Sequence, residues 1–122
     1  MSLDEDTKIH ELKELSKKFA EDRDWDQYHN AKDLAIGIVT EAAELLEHFR
    51  FKSKVEVEEA LSNPQKKEEI SEELADILYF VLRLAQRYDI DITEAFKGKL
   101  AKNEKKYPVS KAKGSNKKYT EL

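Results

Sequence analysis

Four acidic residues of this chain sit in apolar company. Glu41-Ala42-Ala43-Glu44 follows Leu34-Ala35-Ile36-Gly37-Ile38-Val39, and Glu73-Leu74-Ala75-Asp76 runs into Ile77-Leu78-Tyr79-Phe80-Val81-Leu82. On a helix, acids three apart share a face, one turn from each other. Ionised carboxylates among apolar side chains are costly unless a cation compensates them. Two helices that each present such a pair can converge four carboxylates on one point. Like charges about 4 Å apart repel by roughly 4 kcal/mol per pair at an effective dielectric near 20. Either some protonate or a cation binds. An all-oxygen donor set in a chain without Cys suits Mg²⁺, Mn²⁺ or Ca²⁺ better than zinc. Mg²⁺ keeps waters and completes its shell with substrate phosphates. Water on such a metal has a lowered pKa and can attack phosphorus, with a neighbouring carboxylate taking the proton. The spacing alone does not single out that carboxylate.

The other chemistry-bearing residues are fewer. His48 lies one turn beyond Glu44 on the acidic face and reads as a second-layer or structural histidine. His29 stands beside Trp25 and Tyr28 in a stretch without helical period, Arg23 to Asn30. A loop this rich in aromatic and polar groups is more often a binding surface than a spacer. A carboxylate-bridged di-iron bundle would need acid-x-x-His pairs on two helices. Glu44 and His48 are four apart, and no second pair exists. A helical scaffold with merely solvated acids is the remaining non-enzymatic reading.

Composition bounds the elements that must hold these residues. The chain has 122 residues, 39% hydrophobic and 39% charged, with three Gly, two Pro and no Cys. That is enough for one domain, expected over 1–122, and suits amphipathic helices rather than a turn-rich β protein. No apolar run approaches the roughly 20 residues of a membrane span. No charged-then-apolar leader opens the chain, so a cytoplasmic protein without a membrane partner is expected. The net charge of −4 is unevenly spread: residues 97–118 hold nine Lys and one Glu. An acidic body with a basic end suits a small anionic ligand, whereas a long nucleic acid would be repelled by the body.

Hydrophobic spacing predicts an all-α, four-helix bundle-like core. A first helix is expected over 4–21, with Ile9, Leu12, Leu15 and Phe19 as its stripe, and a second over 31–49, capped by Asn30. Gly37, one turn before Glu41, would leave space for a ligand or another backbone. Residues 52–62 read as a short irregular or helical insert. Asn63-Pro64 starts a third helix that runs to about Tyr88. On it Glu69, Glu73, Asp76 and Phe80 line the edge of the apolar face. Asp91 and Glu94 come close to a capping box for a fourth helix over 92–106, where Lys99 and Asn103 lie one turn apart. Beyond Tyr107-Pro108 a polar basic tail is expected, irregular unless ordered against a ligand or partner.

These residues resemble a known family. Glu-x-x-Glu, 28 intervening residues and Glu-x-x-Asp are similar to the paired acid motifs of the MazG-like superfamily. The resemblance is closer to its dCTP pyrophosphatase branch. It extends through the stretch FAEDRDWDQYH at 19–29, Glu41 to Lys52, Glu72 to Tyr79, and the ending with Lys99, Asn103, Tyr107-Pro108 and Lys118-Tyr119-Thr120. It covers about residues 10–122.

The resemblance implies an enzyme. Such proteins are all-α, Mg²⁺-dependent nucleoside triphosphate pyrophosphohydrolases, with Mn²⁺ able to substitute. They cleave between the α- and β-phosphates, clear unwanted nucleotides from the pool, and assemble as homodimers or homotetramers. Carried over, Glu41, Glu44, Glu73 and Asp76 are the metal ligands and catalytic acids. Trp25, His29, Phe51 and Phe80 form the base pocket. Lys99 and Asn103 contact phosphate or sugar, and Tyr107, Lys118 and Tyr119 are further substrate-binding residues. Phe80 stands where that branch has a base-stacking Tyr, Phe51 where it often has Trp, and Ser16 where it often has His. The expected substrate is dCTP or a modified dCTP, with a broader or different nucleotide such as dUTP as the alternative.

Overall fold

The computed structural model describes residues 2–122, and no strand occurs among them. The chain forms helices α1 (Leu3–Asp6), α2 (Ile9–Glu21), α3 (Ala31–Glu47), α4 (Lys54–Ser62), α5 (Pro64–Arg87), α6 (Ile92–Lys106) and α7 (Val109–Ala112). Two 3₁₀ turns, Asp26–Tyr28 and Tyr119–Glu121, complete it. It divides into two compact units, one ending at Asp89 and the other spanning Ile90–Leu122.

In the first unit α5 lies along α3 in the most extensive helix pair, and also packs on α2 and α4. Ala20, Leu34, Ile70, Leu82 and Ala85 are its buried apolar residues. The helix starts follow the sequence. Asn30 Oδ1 accepts from the Asp33 amide at 2.9 Å, and Asn63 Oδ1 from the Lys66 amide at 3.0 Å, with Pro64 at the first helical position. Tyr88 joins the far end of α5 to the start of α3, its hydroxyl accepting from the Ala31 amide at 2.8 Å.

One boundary differs from expectation, and side-chain caps fix two further helix starts. The first helix breaks at Thr7 and Lys8, both in extended backbone, so α1 and α2 are separate. Residues 54–62 are helical because Ser53 and Glu56 form a full capping box: Ser53 Oγ accepts from the Glu56 amide at 3.2 Å, and Glu56 Oε1 from the Ser53 amide at 3.1 Å. At Asp91 the side chain accepts from the Glu94 amide at 2.9 Å.

In the second unit the tail carries local structure rather than none. After Pro108 it makes α7, turns at Gly114 with φ +77°, and ends in the second 3₁₀ turn. Tyr119 lies edge-on to Tyr107, their ring centres 5.9 Å apart, and the Lys106 ammonium sits 4.8 Å from the Tyr119 ring centre. Aromatic contact and cation–π attraction thus fold the tail onto the end of α6.

Candidate active site

The central acids meet. Glu41 on α3 and Glu73 and Asp76 on α5 each offer one carboxylate oxygen, all within 4.8 Å of one another. The α3–α5 packing brings them together, with α5 presenting Glu73 and Asp76 one turn apart. Glu44 is exposed and stands outside this trio, but it hydrogen-bonds with Glu41. The sequence expectation of four converging acids therefore resolves into three that converge and a fourth attached to one of them.

The electrostatics of the trio are unbalanced. Burial first, then the hydrogen bond and charge of Glu44 and the charges of Asp76 and Glu73, push the Glu41 carboxyl up to about 7. Oε2 of Glu41 and Oε2 of Glu73 are both buried without a hydrogen-bond partner. Buried carboxylate oxygens normally have partners, and two orphans within one cluster are what a bound cation would satisfy. The donor set is all oxygen, which fits a hard divalent metal. His48 supports the trio from α3's C-terminal end, with Nε2 3.6 Å from Glu73 Oε1. Its spacing suggested a second-layer or structural histidine, and the structure sets it against one acid of the trio.

An aromatic row runs from the loop toward this cluster. His29 lies 5.9 Å from Trp25, Trp25 is 5.7 Å from Phe19, Phe19 is 5.7 Å from Tyr79, and Tyr79 is 5.2 Å from Phe80, all between ring centres. The Phe80 ring lies over Gly37: a Cβ placed there would come within 2.6 Å of it. This corrects the expectation of open space at Gly37. The room exists, and an aromatic ring of the same chain fills it. Phe19 and Tyr79 are links that sequence reasoning assigned to the core. Their helical spacing is the same as that of core residues, and only their ring contacts distinguish them. The Tyr79 hydroxyl is buried without a partner, and burial raises its pKa against the opposing charge of Arg23.

The loop that starts the row is tied to α5 by Arg83. This side chain is only 1% exposed. Its Nε donates to His29 Nδ1 at 3.3 Å, Nη1 donates to Gln86 Oε1, and Nη2 pairs with Asp26 Oδ1. Sequence reasoning missed Arg83. Its position three after Phe80, on the stripe of Glu73 and Asp76, was the available signal.

Other expected site residues belong to other elements. Phe51 is 91% exposed, at φ +63°, with the Arg50 guanidinium 4.6 Å from its ring centre, and it is not part of the row. Ser16 is buried in α2, its hydroxyl donating to the Leu12 carbonyl at 2.9 Å. Lys99 and Asn103 lie one turn apart on α6, and Tyr107, Lys118 and Tyr119 belong to the end of the second unit.

The sequence model of the MazG-like family matches residues 36–122. The chain is 35% identical over 114 residues to dCTP pyrophosphatase 1 of Rattus norvegicus, covering 93% of this chain and 67% of the rat protein. The Homo sapiens protein of the same name is 34% identical over the same length. A crystal structure of a pyrophosphatase from Archaeoglobus fulgidus superposes with a TM-score of 0.76 at 42% identity, covering 82% of this chain and 92% of that one.

Proposed function

This chain belongs to the MazG-like family as a nucleoside triphosphate pyrophosphohydrolase, and from that premise we propose that it acts on dCTP or a modified dCTP with Mg²⁺. The carrying observation is the Glu41–Glu73–Asp76 cluster with its two buried, unpartnered oxygens. Glu41, Glu73 and Asp76 would hold the ion, with Mn²⁺ able to replace it. When bound, the metal supplies charge neutralisation at the phosphates and a water of lowered pKa.

The protein's own part is positioning and proton transfer. Water attacks the α-phosphorus, the bond to the α–β bridging oxygen breaks, and pyrophosphate leaves, giving a nucleoside monophosphate. Glu44, outside the trio yet bonded to Glu41, is the carboxylate free to accept the water's proton. Trp25, His29 and Phe80 would form the base pocket, as their places in the aromatic row support. Lys99, Asn103, Tyr107, Lys118 and Tyr119 would meet phosphate and sugar, their basic members matching a triphosphate's charge.

The same reading includes a homodimer or homotetramer. On α3, Ile36 is 51% and Val39 69% exposed, and Phe51 stands bare beyond them. Apolar surface of this extent on one helix is what a second copy would cover. No described helix is long and apolar enough to cross a membrane; a cytoplasmic nucleotide-pool enzyme is part of the proposal.

Initial rates of pyrophosphate release across a panel of ribo- and deoxynucleoside triphosphates, with Mg²⁺ and then Mn²⁺, test this reading. The highest kcat/KM is expected for dCTP. A preference for dUTP would move the substrate and keep the chemistry. Release from no nucleotide with either metal would sink the proposal.

A further inference from the structure

The stripe of α5 that carries Glu73 and Asp76 continues through Phe80 to Arg83, at helical spacings of three, four and three. Seven residues of helix from Asp76 to Arg83 span about 10 Å, the scale of a nucleotide lying along the helix. Arg83 is the one charged side chain among the described residues of α5 that is fully buried. Burying a guanidinium costs several kcal/mol unless it is well paired; here Nε and Nη1 hydrogen-bond, and Nη2 is in ion-pair contact with Asp26 without a hydrogen bond. Gln86 is on the same helix, but Asp26 and His29 belong to the turn that carries the loop's aromatic group.

The His29 contact has a chemical consequence. Arg Nε always carries a hydrogen and can only donate. The ring nitrogen facing it, Nδ1, must therefore present a lone pair, which places the proton of neutral imidazole on Nε2. A doubly protonated ring would set N–H against N–H. We propose that Arg83 is a positioning residue for base recognition, tying the Asp26–His29 turn to α5 and fixing His29 as a neutral ring whose sole N–H is at Nε2. The inference rests on the reading of Trp25 and His29 as a base pocket given above. It adds the polarity of that pocket: His29 is a hydrogen-bond donor there, suited to a base edge that offers an acceptor, a ring carbonyl or an unprotonated ring nitrogen. Burial and the charge of Arg87 lower the His29 pKa, against the opposing charge of Asp33, consistent with a neutral ring.

Two measurements on the full chain test this. Long-range ¹H–¹⁵N correlation spectra of histidine-labelled protein, with His29 assigned by its loss in His29→Ala, report the tautomer directly. The wild type is expected to show Nδ1 bare and Nε2 protonated, and Arg83→Met to lose that preference. In kinetics with dCTP and Mg²⁺, Arg83→Met should raise KM about tenfold while kcat stays within about threefold, the pattern of lost ligand binding rather than lost chemistry. Because Arg83 acts through His29, the same substitution in a His29→Ala background should change KM by less than about twofold. Arg83→Lys keeps the buried charge but not the fork, and should also raise KM. It serves if the Met variant does not fold.

An Nδ1-protonated His29 in the wild type would overturn the inference. So would an unchanged KM in both Arg83 variants, or an equal rise with and without His29. Wild-type protein that releases no pyrophosphate would defeat the functional reading instead, and the tautomer would still decide the role of Arg83.

Discussion

The acid cluster and the aromatic row share helix α5 but are balanced in opposite ways. The Asp26–His29 turn is tied in by its own charges and rings: Arg83, the one buried cation among the described residues, hydrogen-bonds to His29 and Gln86 and ion-pairs with Asp26, and the rings from Trp25 to Phe80 meet edge to face. The acid cluster is open: three carboxylates converge, two oxygens are orphaned, and Glu41 titrates near 7. In one region the protein supplies its own compensation. In the other it leaves a charge imbalance that a proton or a bound cation must remove. Substitutions should therefore cost activity in the acid cluster and stability in the aromatic row.

Asp76→Ala is the largest expected break. Loss of one metal-binding oxygen should lower kcat/KM by on the order of 10³. The metal-free fold should lose nothing, since one of several mutually repelling charges is gone. Pyrophosphate release read beside thermal unfolding in EDTA checks both halves. A midpoint that falls by about 5 °C or more would mean that Asp76 is a structural residue.

Gly37→Ala probes the other side. The new Cβ would lie 2.6 Å from Cδ1 and Cε1 of Phe80 and 2.8 Å from its Cγ, so the whole ring must move against Tyr79. Overpacking of this kind costs about 1–3 kcal/mol, more than the roughly 1 kcal/mol that Ala gains over Gly in a helix. The sign should reverse in a Phe80→Ala background, where only the helix gain remains. Denaturant unfolding of the four proteins in this cycle decides it; a loss of the same size in both backgrounds would refute the contact.

The pH response sharpens the contrast further. The folded pKa of Glu41 is raised, so between its ordinary value of 4.5 and about 7 the folded chain holds a proton that the unfolded chain has released. Metal-free stability therefore falls as pH rises through that window. Metal must displace the same proton, so Mn²⁺ affinity should rise by up to about tenfold per pH unit below about 7 and level off above it. Titration calorimetry at several pH values measures this. A flat affinity from pH 5.5 to 8 would show that Glu41 is not a ligand.

Much of this was legible from residue types and spacing. The all-α class followed from periodicity, the helix starts from Asn30 and Asn63-Pro64, and the acid pairs from their place in apolar runs. Long-range geometry was not. Spacing put Glu41 and Glu44 on one face, but only packing shows that Glu41 joins Glu73 and Asp76 while Glu44 stands aside. Gly37 read as space, because a sequence does not say which side chain fills a gap. Arg83 was passed over because a cation in a helix is ordinarily solvated, and its burial depends on Asp26 and His29 more than fifty residues earlier. The capping box at Ser53 and Glu56 was in plain view and would have settled the 52–62 insert as helical.

The smallest expected effect concerns the basic tail, which differs from both regions in having neither a buried charge nor an orphaned one. Lys111, Lys113, Lys117 and Lys118 act, in the proposed reading, through their summed field on a triphosphate rather than through one fixed contact. Deleting residues 110–122 should then raise KM about threefold with kcat little changed. A field of exposed charges is screened within about 8 Å at physiological salt and within about 3 Å at 1 M. The difference in KM between full-length and shortened chains should therefore shrink as salt rises. A rise in KM that persists at high salt would point instead to direct contact through Tyr119, and an unchanged KM would remove the tail from substrate binding.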